Sequence, residues 1–312
     1  MKFNELKLEK NILKALKEAG YSEPTPIQQQ AIPPVLEGRD LMGCAQTGTG
    51  KTCAFAVPII QRLAKNEGGK GTIRALILTP TRELALQIYE NVCQYARYMP
   101  CSAAVIFGGV SQVPQVEAIE RGVDILIATP GRLWDLMGQK IVKLDKAEFF
   151  VLDEADRMLD MGFYDDIMQI VKHLPAERQT LMFSATMPPK IKMMAKAILR
   201  DPAEVKIAVS RPADKIEQSA YICNEAQKPA LLEYLLRHVR TSRVIVFASS
   251  KLSVKDLSRS LSRKGLKVGE MHSDLEQQQR DEVMLDFKAG RIDALIATDI
   301  VARGIDIEDI SM

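Results

Sequence analysis

The chain has 312 residues, 46% of them apolar and 26% charged, with a formal net charge of +2. That is the composition of a globular protein with material for a sizeable core, and the length points to two domains. No run approaches the roughly 18 consecutive apolar residues of a membrane span, five scattered cysteines form no CxxC pair, and the small net charge is no basic block that would by itself announce a nucleic-acid partner.

In chain order, Ile12, Leu13, Leu16 and Ala19 recur at helical spacing and predict an amphipathic helix rather than a signal peptide. Strands are expected at 74–80 (RALILTP), 102–109 (SAAVIFGG), 123–130 (VDILIATP), 149–156 (FFVLDEAD) and 179–186 (QTLMFSAT). These runs are apolar throughout, as in strands buried on both faces, and they alternate with helical patterns, which argues for βαβ units and a parallel sheet. The texture turns polar and proline-bearing near 201–217, which reads as a last strand and a linker. Beyond it the alternation restarts with strands at 243–250, 267–273 and 293–299. Three histidines, at 173, 238 and 272, have no metal-ligand spacing.

The strongest local signal is AQTGTGKT, residues 45–52. Gly50, Lys51 and Thr52 match the end of the phosphate-loop pattern, with Ala45 in place of the first glycine and Gln46, Thr47, Gly48 and Thr49 between. Gly48 and Gly50 allow the tight turn that aims successive N–H groups at a phosphate, and the helix behind adds its positive end. Lys51 is placed for the β- and γ-phosphates and Thr52 for a magnesium ion. The plain alternative is a flexible glycine-rich turn. About 100 residues later, a buried strand ends in Asp153-Glu154. Asp153 is suited to hold the magnesium through water and Glu154 to orient or deprotonate an attacking water. Lys51, Asp153 and Glu154 are therefore the catalytic candidates.

Residues 153–156 spell DEAD, and the chain resembles the DEAD-box RNA helicases of superfamily 2. The resemblance runs through nearly the whole chain in the family's order. GYSEPTPIQ (20–28) resembles the Q motif, with Phe3 as the isolated upstream aromatic; AQTGTGKT is motif I, with the family's own alanine first; PTRELALQ (80–87) is motif Ia. Gly108-Gly109 match the GG motif, TPGRL (129–133) motif Ib, and SAT (184–186) motif III. In the second unit, VIVFASS resembles motif IV, Gln277 to Arg280 the QxxR element, and ATDIVARGID motif V. FSATMPPKI and SRPADKIEQ resemble the bacterial RhlE-type branch.

This resemblance implies an α/β fold of two tandem RecA-like parallel-sheet domains, the second incomplete: a Q-motif region at 1–29, an ATP-binding domain at 30–207, a linker at 208–216 and a C-terminal helicase domain at 217–312. It implies ATP and Mg²⁺ as cofactors. Gln28 would read the adenine edge, with Tyr21 and Phe3 offering flat faces to the base; the alternative for both rings is core packing. RNA would be bound through its backbone, without sequence reading, by Pro80, Thr81, Arg82, Gly108, Gly109, Thr129, Pro130, Gly131 and Arg132, each at the carboxyl end of a strand. Each arginine alone would read as a surface charge. Ser184 and Thr186, with Asp156, would couple the two sites; a helix N-cap is the other reading. Thr298 and Asp299 are assigned to RNA, Gly304 and Asp306 to the nucleotide. A monomeric cytoplasmic enzyme is expected, whose domains close on ATP and RNA, separate short duplexes locally and release RNA on hydrolysis. The family's arginine-bearing HRxGRxGR segment lies outside these residues. The expectation is therefore a chain cut from a longer protein, and a clamp that binds ATP and RNA with little or no hydrolysis is the alternative.

Overall fold

The computed structural model describes residues 2–65, 71–207, 217–238, 243–298 and 310, and divides into two compact units, Met1–Ala213 and Asp214–Met312.

In the first unit, a short 3-10 turn (Phe3–Leu6) precedes α1 (Lys10–Glu18) and α2 (Pro26–Leu36). Then follow β1 (Leu41–Cys44), α3 (Lys51–Lys65), β2 (Ala75–Leu78), α4 (Arg82–Tyr95), β3 (Ala103–Ile106), α5 (Val113–Glu120), β4 (Ile125–Ala128) and α6 (Pro130–Gly138). The unit ends with β5 (Phe149–Leu152), α7 (Ala155–Asp160), α8 (Tyr164–Lys172), β6 (Gln179–Ser184), α9 (Pro189–Ile198) and β7 (Ala203–Lys206). The seven strands form one sheet in the order β3-β4-β2-β5-β6-β1-β7, every pairing parallel.

Strands β4, β2, β5 and β6 are buried at every position because helices cover both faces, while interior β1 alternates between buried and partly buried residues. Two core layers result. One holds α1–α4 against Ile77, Val151 and Phe183; the other holds α6–α9 against Leu78, Leu152 and Met182. The uniform apolar reading fails at the edges: β3 alternates between buried and partly buried residues, and β7 buries only Val205. An edge strand has one neighbour and less cover, so half its side chains meet solvent. β1, absent from the sequence-predicted strands, is only four residues long and contains Gly43. A Cβ at Gly43 would stand 2.6 Å from the Phe183 ring, so the glycine lets two adjacent strands pack an aromatic between them.

The second unit begins with an exposed stretch and a 3-10 turn (Glu225–Gln227), then α10 (Lys228–His238), β8 (Val244–Ala248), α11 (Lys251–Arg263), β9 (Val268–Met271), α12 (Gln277–Lys288) and β10 (Ala294–Thr298). Its sheet is parallel, in the order β8-β10-β9. Central β10 is the most buried of the three, with Leu295 and Ala297 on one small core and Ile296 on the other. Among the described residues no helix is long and apolar enough to cross a membrane. The linker at 208–216 and the motif V residues Asp299, Gly304 and Asp306 lie outside the described residues.

Candidate nucleotide and nucleic-acid site

Apart from the Q motif, which lies before β1 at the start of α2, every motif of the first unit leaves the carboxyl end of a strand, so these stand along one edge of the parallel sheet, where such sheets bind ligands. The strand order sorts them. Adjacent β5, β6 and β1 deliver Asp153-Glu154, Ser184 and the phosphate loop; adjacent β3, β4 and β2 deliver Gly108-Gly109, Thr129 and Pro80. The Asp153 N–H donates to the Leu78 carbonyl at 2.9 Å and joins the two groups.

The loop between β1 and α3 is built on its two glycines. Gly48 and Gly50 have φ of +80° and +90°, a region closed to most side chains, and no positive φ falls at Ala45. Ala45 is instead buried, its N–H donating to the Ser184 carbonyl at 3.1 Å, so an alanine serves where the general pattern has glycine. The Thr49 hydroxyl donates to the Gln46 carbonyl at 2.7 Å and closes the turn.

Gln28 is fully buried beneath this loop. Its Oε1 accepts from the Thr25 N–H at 2.9 Å and its Nε2 donates to the Gly50 carbonyl at 3.1 Å, while the Thr25 hydroxyl donates to the Thr49 carbonyl at 2.8 Å. The start of α2 is thus tied to the phosphate loop, a role in positioning the loop that sequence reasoning missed. An amide carries two N–H bonds and two carbonyl lone pairs, so one of each remains for an adenine edge. Phe3 and Tyr21 line one cleft of about 410 Å³, with Leu13, Lys17 and Ser22. Phe3 also belongs to the main core, its ring edge-on to Tyr21 at 6.3 Å; Tyr21 in turn shares a 2.6 Å hydroxyl contact with buried Tyr95. The packing reading holds for Phe3 while its cleft remains open to a planar ligand.

Lys51, the first residue of α3, is 5% exposed, and its Nζ lies 3.7 Å from Asp153 Oδ1 and 3.7 Å from Glu154 Oε1. Those distances exceed a hydrogen bond, and Nζ makes none. A buried ammonium without a hydrogen bond is costly unless an anion completes it. Its place at the amino end of a long helix, beside two loop glycines, fits the oxygens of a nucleoside phosphate. Burial pushes the Asp153 carboxyl up, with Lys51 opposing and Glu154 adding to the rise. A desolvated carboxylate of this kind and the partly buried Thr52, directly after Lys51 in the chain, would be hard-oxygen donors of the kind that suits magnesium bound jointly with phosphate oxygens.

Glu154 is held in the left-handed region at φ +53°, a conformation that costs a side-chain-bearing residue about 1–3 kcal/mol. Three contacts fix it: the Thr47 hydroxyl donates to Oε1 at 2.7 Å, Arg157 Nη1 lies 3.3 Å from Oε2, and Lys51 stands opposite. Asp156 faces away from this cluster. Its Oδ2 accepts from the Thr186 N–H at 2.9 Å and hydroxyl at 2.8 Å. Ser184 Oγ donates to the Thr186 carbonyl at 2.7 Å and accepts from the Asp156 N–H at 3.3 Å. Ser184 therefore satisfies a free N–H in the first turn of α7 from another strand, while the N-cap of the helix that follows it, α9, is Pro188. Ser184 is thus the N-cap of neither helix; its hydroxyl joins the backbone at Asp156, and Thr186 meets the carboxylate.

On the neighbouring strands, Pro80, Arg82, Gly108, Thr129, Gly131 and Arg132 line a cleft of about 420 Å³ with Phe107, Asp135 and Phe163. A Cβ at Gly108 or Gly131 would meet no atom within 4 Å, so both glycines border open space that a ligand backbone can enter. Gly109 has φ +80° and turns the loop. Thr81 caps α4, accepting from the Leu84 N–H at 3.4 Å, and Thr129 caps α6 without using its hydroxyl, with Pro130 as the first helical residue. The Arg82 guanidinium lies over the Phe107 ring at 5.1 Å, and Arg132 Nη2 donates to the Val110 carbonyl at 2.9 Å. In the second unit the strand ends also converge. Thr298 closes β10, Lys251 and Lys255 each hold Asp274 at 2.8 Å, and Arg280 Nη2 donates to the Ser273 carbonyl at 3.0 Å.

A parallel sheet with this loop, lysine and acid pair at its carboxyl edge defines a phosphate-loop protein of the RecA-like class. The family described as DEAD/DEAH box helicase matches residues 25–194, and the helicase conserved C-terminal domain matches 227–312. The chain belongs to the DEAD/DEAH box helicase family. It is 42% identical over its full length to the DEAD-box ATP-dependent RNA helicase CshA of Streptococcus pneumoniae, covering 59% of that protein. It is equally identical over 99% of its length to RhpA of Helicobacter pylori, covering 62%. It thus spans about three fifths of the length of these curated relatives. Saccharomyces cerevisiae Dbp5 bound to RNA and ADP BeF3 superposes with a TM-score of 0.86 at 32% identity, covering 100% of this chain and 79% of that one.

Proposed function

We propose that the chain is the core of an ATP-dependent RNA helicase that binds ATP–Mg²⁺ and single-stranded RNA and separates short duplexes locally. The observation that carries this is the adjacency of two sites on one sheet edge. A buried ammonium without a hydrogen bond stands over an acid pair, and a glycine-bordered cleft carries two arginines beside it. Lys51 and the loop N–H groups hold the phosphates; Asp153 and Thr52 hold Mg²⁺, which when bound neutralises phosphate charge. Glu154 takes a proton from the attacking water once nucleotide draws Lys51 away from it. Gln28 reads the adenine from beneath the loop, and Tyr21 and Phe3 flank it. Arg82, Arg132 and the cleft threonines contact RNA phosphates and sugars, which fixes a strand without reading its sequence.

Asp156, Ser184 and Thr186 tie the ends of β5 and β6 together within the nucleotide half of this edge, and to them falls the coupling of nucleotide to RNA. The bond from Ala45 to Ser184 carries any shift of the phosphate loop to that link. In the second unit, Thr298 and Asp299 are proposed for RNA and Gly304 and Asp306 for nucleotide from their place in the motif V sequence. The RNA-bound yeast relative supports the nucleic-acid part of this reading. A monomeric, cytoplasmic protein belongs to the same proposal, and the segments FSATMPPKI and SRPADKIEQ are what favour the RhlE-like branch for it.

RNA-stimulated phosphate release, measured alongside fluorescence anisotropy of a labelled oligoribonucleotide with and without ATP, tests the proposal. Stimulation with nucleotide-dependent RNA binding is expected. Binding of both ligands without release would return the clamp reading, and no binding of RNA would sink both.

A further inference from the structure

The loop that carries Gly108-Gly109 is held by a residue outside every recognised motif. Gln115, on α5, is 7% exposed, and its amide makes three hydrogen bonds to that loop. Oε1 accepts from the Phe107 N–H at 2.9 Å, and Nε2 donates to the Phe107 carbonyl at 3.2 Å and to the Ser111 carbonyl at 3.0 Å. Two of these grip both polar groups of one residue, as a neighbouring strand would. Phe107 follows β3, the edge strand of the sheet, so among the described residues no strand lies beyond it to do this.

What Gln115 fixes is the floor of the cleft. The Phe107 ring lines it and lies beneath Arg82, and the guanidinium 5.1 Å above gains a cation–π contact only while the ring keeps this pose. At the other end of the loop, Arg132 takes the Val110 carbonyl. Gly108 and Gly109 are thus suspended between two clamped ends, with Gly108 lining the cleft and bordered by open space. A glycine pair left to itself would lose considerable conformational freedom on binding a strand, and clamping its ends removes that cost beforehand.

We propose that Gln115 is a positioning residue for RNA, acting through Phe107 to preset both the Gly108-Gly109 arch and Arg82. This rests on the reading of the cleft as an RNA site. The test is Gln115→Met, which keeps the length and approximate volume of the side chain and removes its three bonds. Affinity for a labelled oligo-uridylate is measured by anisotropy with a non-hydrolysable ATP analogue, together with nucleotide affinity and the thermal melt. Expected are RNA binding weakened about tenfold and nucleotide affinity unchanged. In steady state, KM for RNA should rise by the same factor, with kcat at saturating RNA within about twofold.

A merely structural glutamine would lower the melting temperature and leave RNA affinity untouched well below it; that result overturns the proposal. Should Gln115→Met fail to fold, Phe107→Leu is read instead. It removes the ring under Arg82 while leaving the backbone bonds, and the same loss of RNA affinity is expected; parent-like binding overturns the proposal. A parent chain that binds no RNA overturns the cleft's assignment itself and the proposal with it.

Discussion

Gly50 and Gln28 are predicted to be energetically coupled, because they occupy the same space. A Cβ built on Gly50 stands 2.3 Å from Gln28 Nε2 and 3.2 Å from Thr25 Oγ1, at a φ of +90°. Gly48 has φ +80° and nothing within 4 Å. Gly48→Ala therefore incurs only the left-handed penalty, about 1–2 kcal/mol. Gly50→Ala incurs that and displaces Gln28, breaking its bonds to Thr25 and Gly50 at about 1 kcal/mol each, so about 3–4 kcal/mol in all. Gln28→Ala alone loses the same two bonds and leaves a small void, about 2–3 kcal/mol.

In the double variant the new methyl enters space that the amide has left, so the two bonds are lost once rather than twice. The double should be about 2 kcal/mol more stable than the sum of the singles. Urea unfolding followed by tryptophan fluorescence reads this directly, since the single tryptophan, Trp134, sits on α6 of the first unit. Additivity within about 0.5 kcal/mol, or a Gly50→Ala protein no weaker than Gly48→Ala, would refute the argument.

Lys51→Ala should weaken ATP binding by roughly 10- to 150-fold, the worth of about 1.5–3 kcal/mol for bonds to a charged group; unchanged affinity by calorimetry would reject the loop's assignment. Glu154→Gln keeps the contact with Thr47 and should retain ATP while turnover falls about 10²- to 10⁴-fold; normal phosphate release would remove Glu154 as the base. Asp156 supplies a pH test. Burial raises its carboxyl, but bonds from Thr186, Ser184 and the Arg157 N–H outweigh that and hold it below its ordinary value. A carboxyl lowered in the folded state stabilises above about pH 4 and loses that contribution as pH falls through the folded value. The first unit of Asp156→Asn should therefore lose less stability than the parent between about pH 5 and pH 3; parallel curves would deny the linkage.

Much of the site was legible in the sequence because its chemistry is local. GKT, DEAD, SAT and TPGR are short segments whose residue types state what they can bind, and the apolar runs before them are strands because nothing polar interrupts them. The alternation of strand and helix determined a parallel sheet, hence a single edge where all these segments would emerge. Chain order, however, interleaves the motifs: Ia, GG and Ib fall between the phosphate loop and the acid pair. Only the pairing of the strands put β3, β4 and β2 together and β5, β6 and β1 together, making two adjacent sites from six scattered segments.

The partners of those segments were also beyond sequence reading. Gln115, Gln28 and Thr47 act through contacts of 8, 22 and 107 residues' separation, and an amide or hydroxyl announces nothing until its neighbour in space is known. A single sequence records which groups can form a bond. Which of them meet is decided by the packing of helices on a sheet, where burial makes each unmade bond costly and so selects the arrangement that satisfies them.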